Sequence, residues 1–178
     1  MGEQGILIIN HGNFEEDFLG TIAESIAREY RVSVSVKESH MDLSEFYDPM
    51  RRQYNGNKLM KELDSWSSMS QVKNIGLFRV DLFNPILTYI FGQAALNGNI
   101  GVASMYRLRN EQYGMKKDED VLLDRFRKVI IHELGHMFGL VHCHLTPCVM
   151  RSSTYVEDID QKSPHLCSKC RQEIGMKK

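Results

Sequence analysis

The run His132-Glu133-Leu134-Gly135-His136-Met137-Phe138-Gly139-Leu140-Val141-His142 restricts this chain more than any other part of it. Three histidines can meet on one metal ion only if the chain between them follows one particular course. His132 and His136 are four residues apart, so a helix sets both rings on one face. Gly139 can take the left-handed conformation that ends such a helix and turns the chain back. His142 then returns as a third nitrogen ligand and leaves a fourth position for water. Glu133, beside the first ligand, can reach a metal-bound water as general base and later pass the proton to a leaving amine. The combination predicts peptide-bond hydrolysis, with zinc as Lewis acid for the developing oxyanion. A bare HExxH also arises by chance on amphipathic helices, but the added glycine and third histidine weigh against that reading.

Bulk properties narrow the setting. A chain of 178 residues suits one compact domain spanning 1–178. A net charge of -1 argues against nucleic-acid binding, which depends on neutralising phosphates. No apolar run approaches the roughly 20 residues needed to span a bilayer, so no membrane partner is expected. The start, Met1-Gly2-Glu3-Gln4-Gly5-Ile6, has no basic region or apolar signal core, and lacks the Ser or Thr at position 6 that favours myristoylation. A cytoplasmic monomer is the expectation.

Cys143, Cys148, Cys167 and Cys170 all fall in the C-terminal part. In a reducing compartment such a cluster is more often a metal site than a disulfide framework. Cys167-x-x-Cys170 has zinc-knuckle spacing, and Cys143 and Cys148 can complete a closed, structural four-thiolate site. Because Cys143 follows His142, that second zinc would pin the tail to the end of the active-site helix. Disulfides, free thiols and a nucleic-acid-binding zinc ribbon are the alternatives; the ribbon lacks a basic face.

Hydropathy patterning places these motifs. Gly5 to Asn10 is a continuous apolar run of the kind found in buried parallel strands. Asn13 with Glu16 reads as a capping box opening a helix to about residue 30, with Phe14, Phe18, Ile22, Ile26 and Tyr30 on one stripe. Val32, Val34 and Val36 form a second strand, completing a right-handed βαβ unit. Residues 41–56 read as a loop, and Asn57 to Ser67 as a helix burying Leu59, Leu63 and Trp66. Ile75 to Phe83, Leu87 to Phe91 and Ile100 to Tyr106 read as three more strands, the second antiparallel and at an edge because its connection is short. Asp118, Glu119 and Asp120 start a long helix that runs into the histidine motif. The fold expected is α/β: a five-stranded, mixed, mostly parallel twisted sheet with one antiparallel edge strand, packed by helices.

With its extended zinc motif the chain resembles the metzincin clan of zinc peptidases. The resemblance makes Met150, one of ten methionines, the residue of a methionine turn beneath the zinc. The runs His142-Cys143, Cys148-Val149-Met150 and Cys167-Ser168-Lys169-Cys170 look like the archaemetzincin (archaelysin) family. So do Arg52-Gln53-Tyr54, Val80-Asp81-Leu82, Phe91-Gly92-Gln93-Ala94 and Ser104-Met105-Tyr106-Arg107-Leu108. The likeness covers roughly residues 5 to 172. It implies an upper part of about 1–139 and a small zinc-bound lower part of about 140–178, with two zinc ions per chain. It also implies that a peptide or unfolded protein lies antiparallel to an edge strand, here Leu87, Tyr89, Phe91, Gly92 and Gln93. Tyr155 could bond a transition-state oxyanion, or simply pack.

No cysteine precedes the motif, so latency by a cysteine switch is not expected. His11 reads as a loop or capping residue rather than a ligand, His144 and His165 as bystanders to the thiolates, and His40, Arg51 and Arg52 have no role. The rival functions are a zinc-containing peptide-binding module with negligible turnover, which would not need Glu133, and a purely structural double-zinc protein.

Overall fold

Residues 5–66 and 72–176 are described in the structure, a computed structural model. Gly5–Asn10 (β1) is buried on both sides: Ile6 and Ile8 join one core cluster, while Ile9 and Leu7 join the other. The helix Glu16–Tyr30 (α1) opens on Glu16 and Asp17 and buries Leu19, Ile22, Ile26 and Tyr30. The expected capping box is not formed. Asn13 sits at φ 49°, and Asn10 instead holds the entry, its side chain bonding both the N–H and the carbonyl of Phe14 at 3.1 Å. An asparagine buried at a strand end can satisfy that turn, leaving nothing for a helix cap to do.

Ser33–Glu38 (β2) runs parallel to β1. The stretch read as a loop contains two short strands, Tyr47–Asp48 (β3) and Gln53–Asn55 (β4), which pair antiparallel. The helix Gly56–Ser65 (α2) is capped by the Asn55 side chain on the Lys58 N–H. Leu59 and Leu63 are buried as expected, but Trp66 stands at the helix end and is 46% exposed. The expected end at Ser67 lies outside the described residues.

The single strand expected over 75–83 is two. Val72–Phe78 (β5) lies parallel to β1, the chain turns at residues 79–81, and Leu82–Asn84 (β6) enters a second sheet. Leu87–Ile90 (β7) pairs antiparallel with β6, while Gly92–Ala94 (β8) crosses to the main sheet and pairs antiparallel with Ile100–Ser104 (β9). β7 is thus antiparallel and at an edge, as expected of the 87–91 segment, but of the smaller sheet; the antiparallel edge strand of the main sheet is β8. An apolar pattern reports burial but not which sheet receives the strand. The main sheet runs β2-β1-β5-β9-β8, five strands with four parallel, and the smaller sheet runs β3-β4-β6-β7.

The long helix Glu119–Met137 (α3) starts on the Asp118 side chain, which accepts from Val121 N–H at 3.0 Å. With α1 it covers the sheet face of Ile8, Ile75, Leu77 and Ala103, while α2 covers the face of Ile9, Phe78 and Val102. Two short helices, Val156–Asp160 (α4) and Ser168–Glu173 (α5), build the lower part. Arg125 of α3 grips Asp160 through two bonds of 2.7 Å and also reaches the Leu108 carbonyl, so the lower part is anchored from inside. Among the described residues no helix is long and apolar enough to cross a membrane.

Candidate metal centres and cleft

The last turn of α3 closes as the glycine requires. Gly139 has φ 95°, its N–H meets the His136 carbonyl at 2.9 Å, and the Leu140 N–H meets the Gly135 carbonyl at 2.9 Å. This paired left-handed cap reverses the chain within two residues. It also returns the Leu140 carbonyl to His136 Nδ1 at 2.7 Å. His132 Nδ1 lies 2.9 Å from the Val149 carbonyl. Carbonyls only accept, so both Nδ1 atoms carry the proton and both Nε2 lone pairs are free. Those Nε2 atoms are 3.1 Å apart, and donor atoms of His132, His136 and His142 all fall within 4.8 Å. Two nitrogens bound at about 2.05 Å to a tetrahedral ion would stand about 3.3 Å apart. The donor set therefore fits zinc with a position to spare. Burial holds all three imidazoles below the usual histidine range, most strongly His132, so at neutral pH they are uncharged, the form in which an imidazole can bind a metal.

Met150 lies beneath this group, fully buried. A Cβ at Gly135 would meet Met150 Sδ at 2.3 Å, so any larger residue between the two helical histidines would force the buried Met150 side chain to move. The sequence carried a signal for this, because glycine inside a helix costs about 1 kcal/mol and needs a reason. Glu133 lies on the cleft floor, and burial raises its carboxyl to about 8, against the pull of the Lys162 ammonium. A Cβ at Gly92 would meet Glu133 Cγ at 2.7 Å and Oε1 at 2.9 Å, so Gly92 makes the room that Glu133 occupies.

Lys162 had no place in the sequence reading. It is buried on the cleft wall, where its ammonium donates to the Val149 carbonyl at 3.2 Å and to the Arg151 carbonyl. Burial lowers it to about 8, opposed by the Glu133 charge. No motif or period marks an isolated lysine between two short helices as part of a site.

The cysteines form a second cluster. Cys143 and Cys167 Sγ are 3.9 Å apart, Cys148 and Cys170 Sγ 3.8 Å, and all four sulfurs lie within 4.8 Å. Thiolates at about 2.3 Å from a tetrahedral zinc would be about 3.8 Å apart. Disulfide sulfurs are separated by only about 2.05 Å, so the disulfide reading falls. Burial pushes the Cys148 and Cys170 thiols up, which means that four thiolates here need a cation. His144 is exposed and outside both clusters, and His165 Nδ1 turns to Glu29 at 2.8 Å.

A cavity of about 520 Å³ opens over the histidine cluster. Leu87 to Ala94 form one wall, Ser152 to Tyr155 with Ile159 and Lys162 the other, and His132, Glu133, His136 and His142 the floor. The structure thus brings Leu87, Tyr89, Phe91, Gly92 and Gln93 together along the cleft, although Leu87 and Tyr89 belong to one sheet, Gly92 and Gln93 to the other, and Phe91 lies between the two strands. Tyr155 stands at the rim, 64% exposed, and is no packing residue. His11 lies in the loop after β1, as expected, where its ring stacks on Phe78 at 4.9 Å and tilts against Trp66. Arg51, to which no role was given, donates to the Leu87 and Thr88 carbonyls and lies over Phe83.

Comparison with known proteins agrees with this architecture. Residues 22–176 match the model of Peptidase family M54. An archaemetzincin of Thermococcus kodakarensis is 35% identical over 176 residues, covering 95% of this chain and 94% of its own. The solved archaemetzincin of Methanopyrus kandleri superposes with a TM-score of 0.83 at 30% identity, over 97% of this chain and 93% of its own. A zinc-dependent peptidase from Methanocorpusculum labreanum does so with a TM-score of 0.88 at 27% identity, over 96% of this chain and 100% of its own. A family match across most of the chain, relatives alike from end to end, and the same fold lead to one conclusion: the chain belongs to peptidase family M54, the archaemetzincin metallopeptidases.

Proposed function

We propose that this protein is a zinc-dependent peptidase in which His132, His136 and His142 hold the catalytic ion and Glu133 moves the proton. A second zinc held by Cys143, Cys148, Cys167 and Cys170 is structural. The observation that carries the reading is Glu133 itself, buried on the cleft floor next to three converging imidazoles. When bound, the catalytic zinc supplies a Lewis acid for the scissile carbonyl and acidifies a water.

The side chains do the rest. Glu133 accepts the proton of the attacking water on its carboxylate and returns it to the leaving amine. Burial disfavours its charged form, which makes the carboxylate a stronger base than an exposed one. The Val149 and Leu140 carbonyls fix the orientation of two imidazoles. Along the wall, β8 is the outer strand of its sheet, so its unpaired edge can take an extended peptide by main-chain bonds.

The test is a peptide library incubated with zinc-loaded protein and read by mass spectrometry, beside Glu133→Gln with its zinc content verified. Cleavage should fall by about 10²–10⁴-fold in the variant. Equal cleavage would remove Glu133 from its role, and silence from both would favour a peptide-binding module.

A further inference from the structure

The Tyr89 hydroxyl donates to the Thr154 carbonyl at 2.8 Å, bridging β7 to the Ser152–Tyr155 segment, and both segments line the cleft. We propose that this bridge is a strap closing the β7 end of the cleft, which makes Tyr89 a specificity-determining residue. A substrate chain can lie along β8 but cannot continue past Tyr89, so length is limited on one side of the scissile bond only. The inference rests on the peptidase reading above.

Both ends of the strap are held. The Arg107 guanidinium lies over the Tyr89 ring at 4.5 Å, and Phe91 meets that ring nearly edge-on at 5.5 Å. Arg107 is itself fixed by Asp81 through bonds of 2.8 and 2.6 Å. At the other end, Asp158 Oδ2 accepts the N–H groups of Thr154 and Tyr155 at 2.8 and 2.9 Å. Thr154 is thus bonded on both of its main-chain sides and aims its carbonyl at Tyr89.

The approach to Tyr89 is also closed to main-chain pairing. Arg51 Nη2 takes the Leu87 carbonyl at 2.7 Å and the Thr88 carbonyl at 3.2 Å, and Gln53 Nε2 takes the Thr88 carbonyl at 3.0 Å. A peptide running beside β7 would find those acceptors engaged, whereas among the described residues β8 pairs only with β9. The cavity volume agrees: about 520 Å³ holds a ligand of a few residues, not a long extended chain.

Tyr89→Phe tests the strap because it removes the hydroxyl and keeps the ring on Arg107 and Phe91. Two peptide ladders sharing one cleaved bond would be extended residue by residue, one toward the N-terminus and the other toward the C-terminus. In the wild type, kcat/KM should stop rising after a few residues in one ladder. In Tyr89→Phe the ratio of long-peptide to short-peptide kcat/KM in that ladder should rise about 3–10-fold, the scale of one neutral hydrogen bond. An unchanged ratio, or an equal loss at every length, overturns the proposal. The same ladders titrated against Glu133→Gln with and without Tyr89→Phe, by fluorescence anisotropy, report the length limit without turnover. A protein that cleaves nothing therefore sinks the peptidase reading while the strap is still decided.

Discussion

Gly135 sits between two helical histidines, where alanine would ordinarily gain up to about 1 kcal/mol. Here its methyl would press on Met150 Sδ and Cε at 2.3 and 2.9 Å, and Met150 is fully buried with little room to withdraw. Gly135→Ala should therefore destabilise the fold by about 1–3 kcal/mol, read as a lower urea midpoint. A stabilised variant would mean that the methionine turn yields. Gly92 makes a parallel case for activity. A methyl there displaces Glu133, so Gly92→Ala should lower peptide turnover by about 10²-fold at unchanged zinc content. His11 offers a pH test away from the metal. Burial against Phe78 and Trp66, then the charge of His40, lowers it to about 4. The unfolded chain then binds more protons between about 6.5 and 4, so this contribution to stability is present above that window and lost as pH falls through it. His11→Phe should flatten the fall in the denaturant midpoint between those pH values.

At the scale of elements, α1 and the lower part meet through one carboxylate. Glu29, buried on α1, accepts from the Leu166 N–H at 2.8 Å, from Arg171 at 2.7 Å and from His165 at 2.8 Å. Glu29→Ala leaves those donors unpaired. It should cost on the order of 2–3 kcal/mol, less than a fully buried pair because Arg171 and His165 reach water. Limited proteolysis should then cut first between residues 160 and 176. The helices were the readable elements: α3 combines an N-cap aspartate, an unbroken apolar stripe and a terminal glycine, three signals that agree. The run 75–83 was unreadable because an apolar stretch looks the same whether it stays in one sheet or crosses between two. The same holds for 87–94, whose residues share a cleft wall across a sheet boundary.

For the molecule as a whole, the two donor clusters are coupled through the peptide bond from His142 to Cys143. Cys170→Ser should reduce bound zinc from two ions to one by elemental analysis. It should also weaken the remaining site about 10-fold in chelator competition, because the return of His142 loses its anchor. Unchanged affinity at the three-histidine site would show that the Gly139 turn suffices. What the sequence by itself determined is the set of donors: one run with helical spacing and a turn glycine marks three imidazoles and the carboxylate beside them, and four cysteines mark a second cluster. These signals are local, so they are legible without knowing how distant segments meet. The tertiary structure alone decided what surrounds them. Met150 under Gly135, Gly92 beside Glu133, Lys162 on the wall, Glu29 beneath the tail and Tyr89 across to Thr154 are contacts between segments far apart in the chain. No spacing encodes them; they arise only when packing has brought the two sheets, α3 and the lower part together.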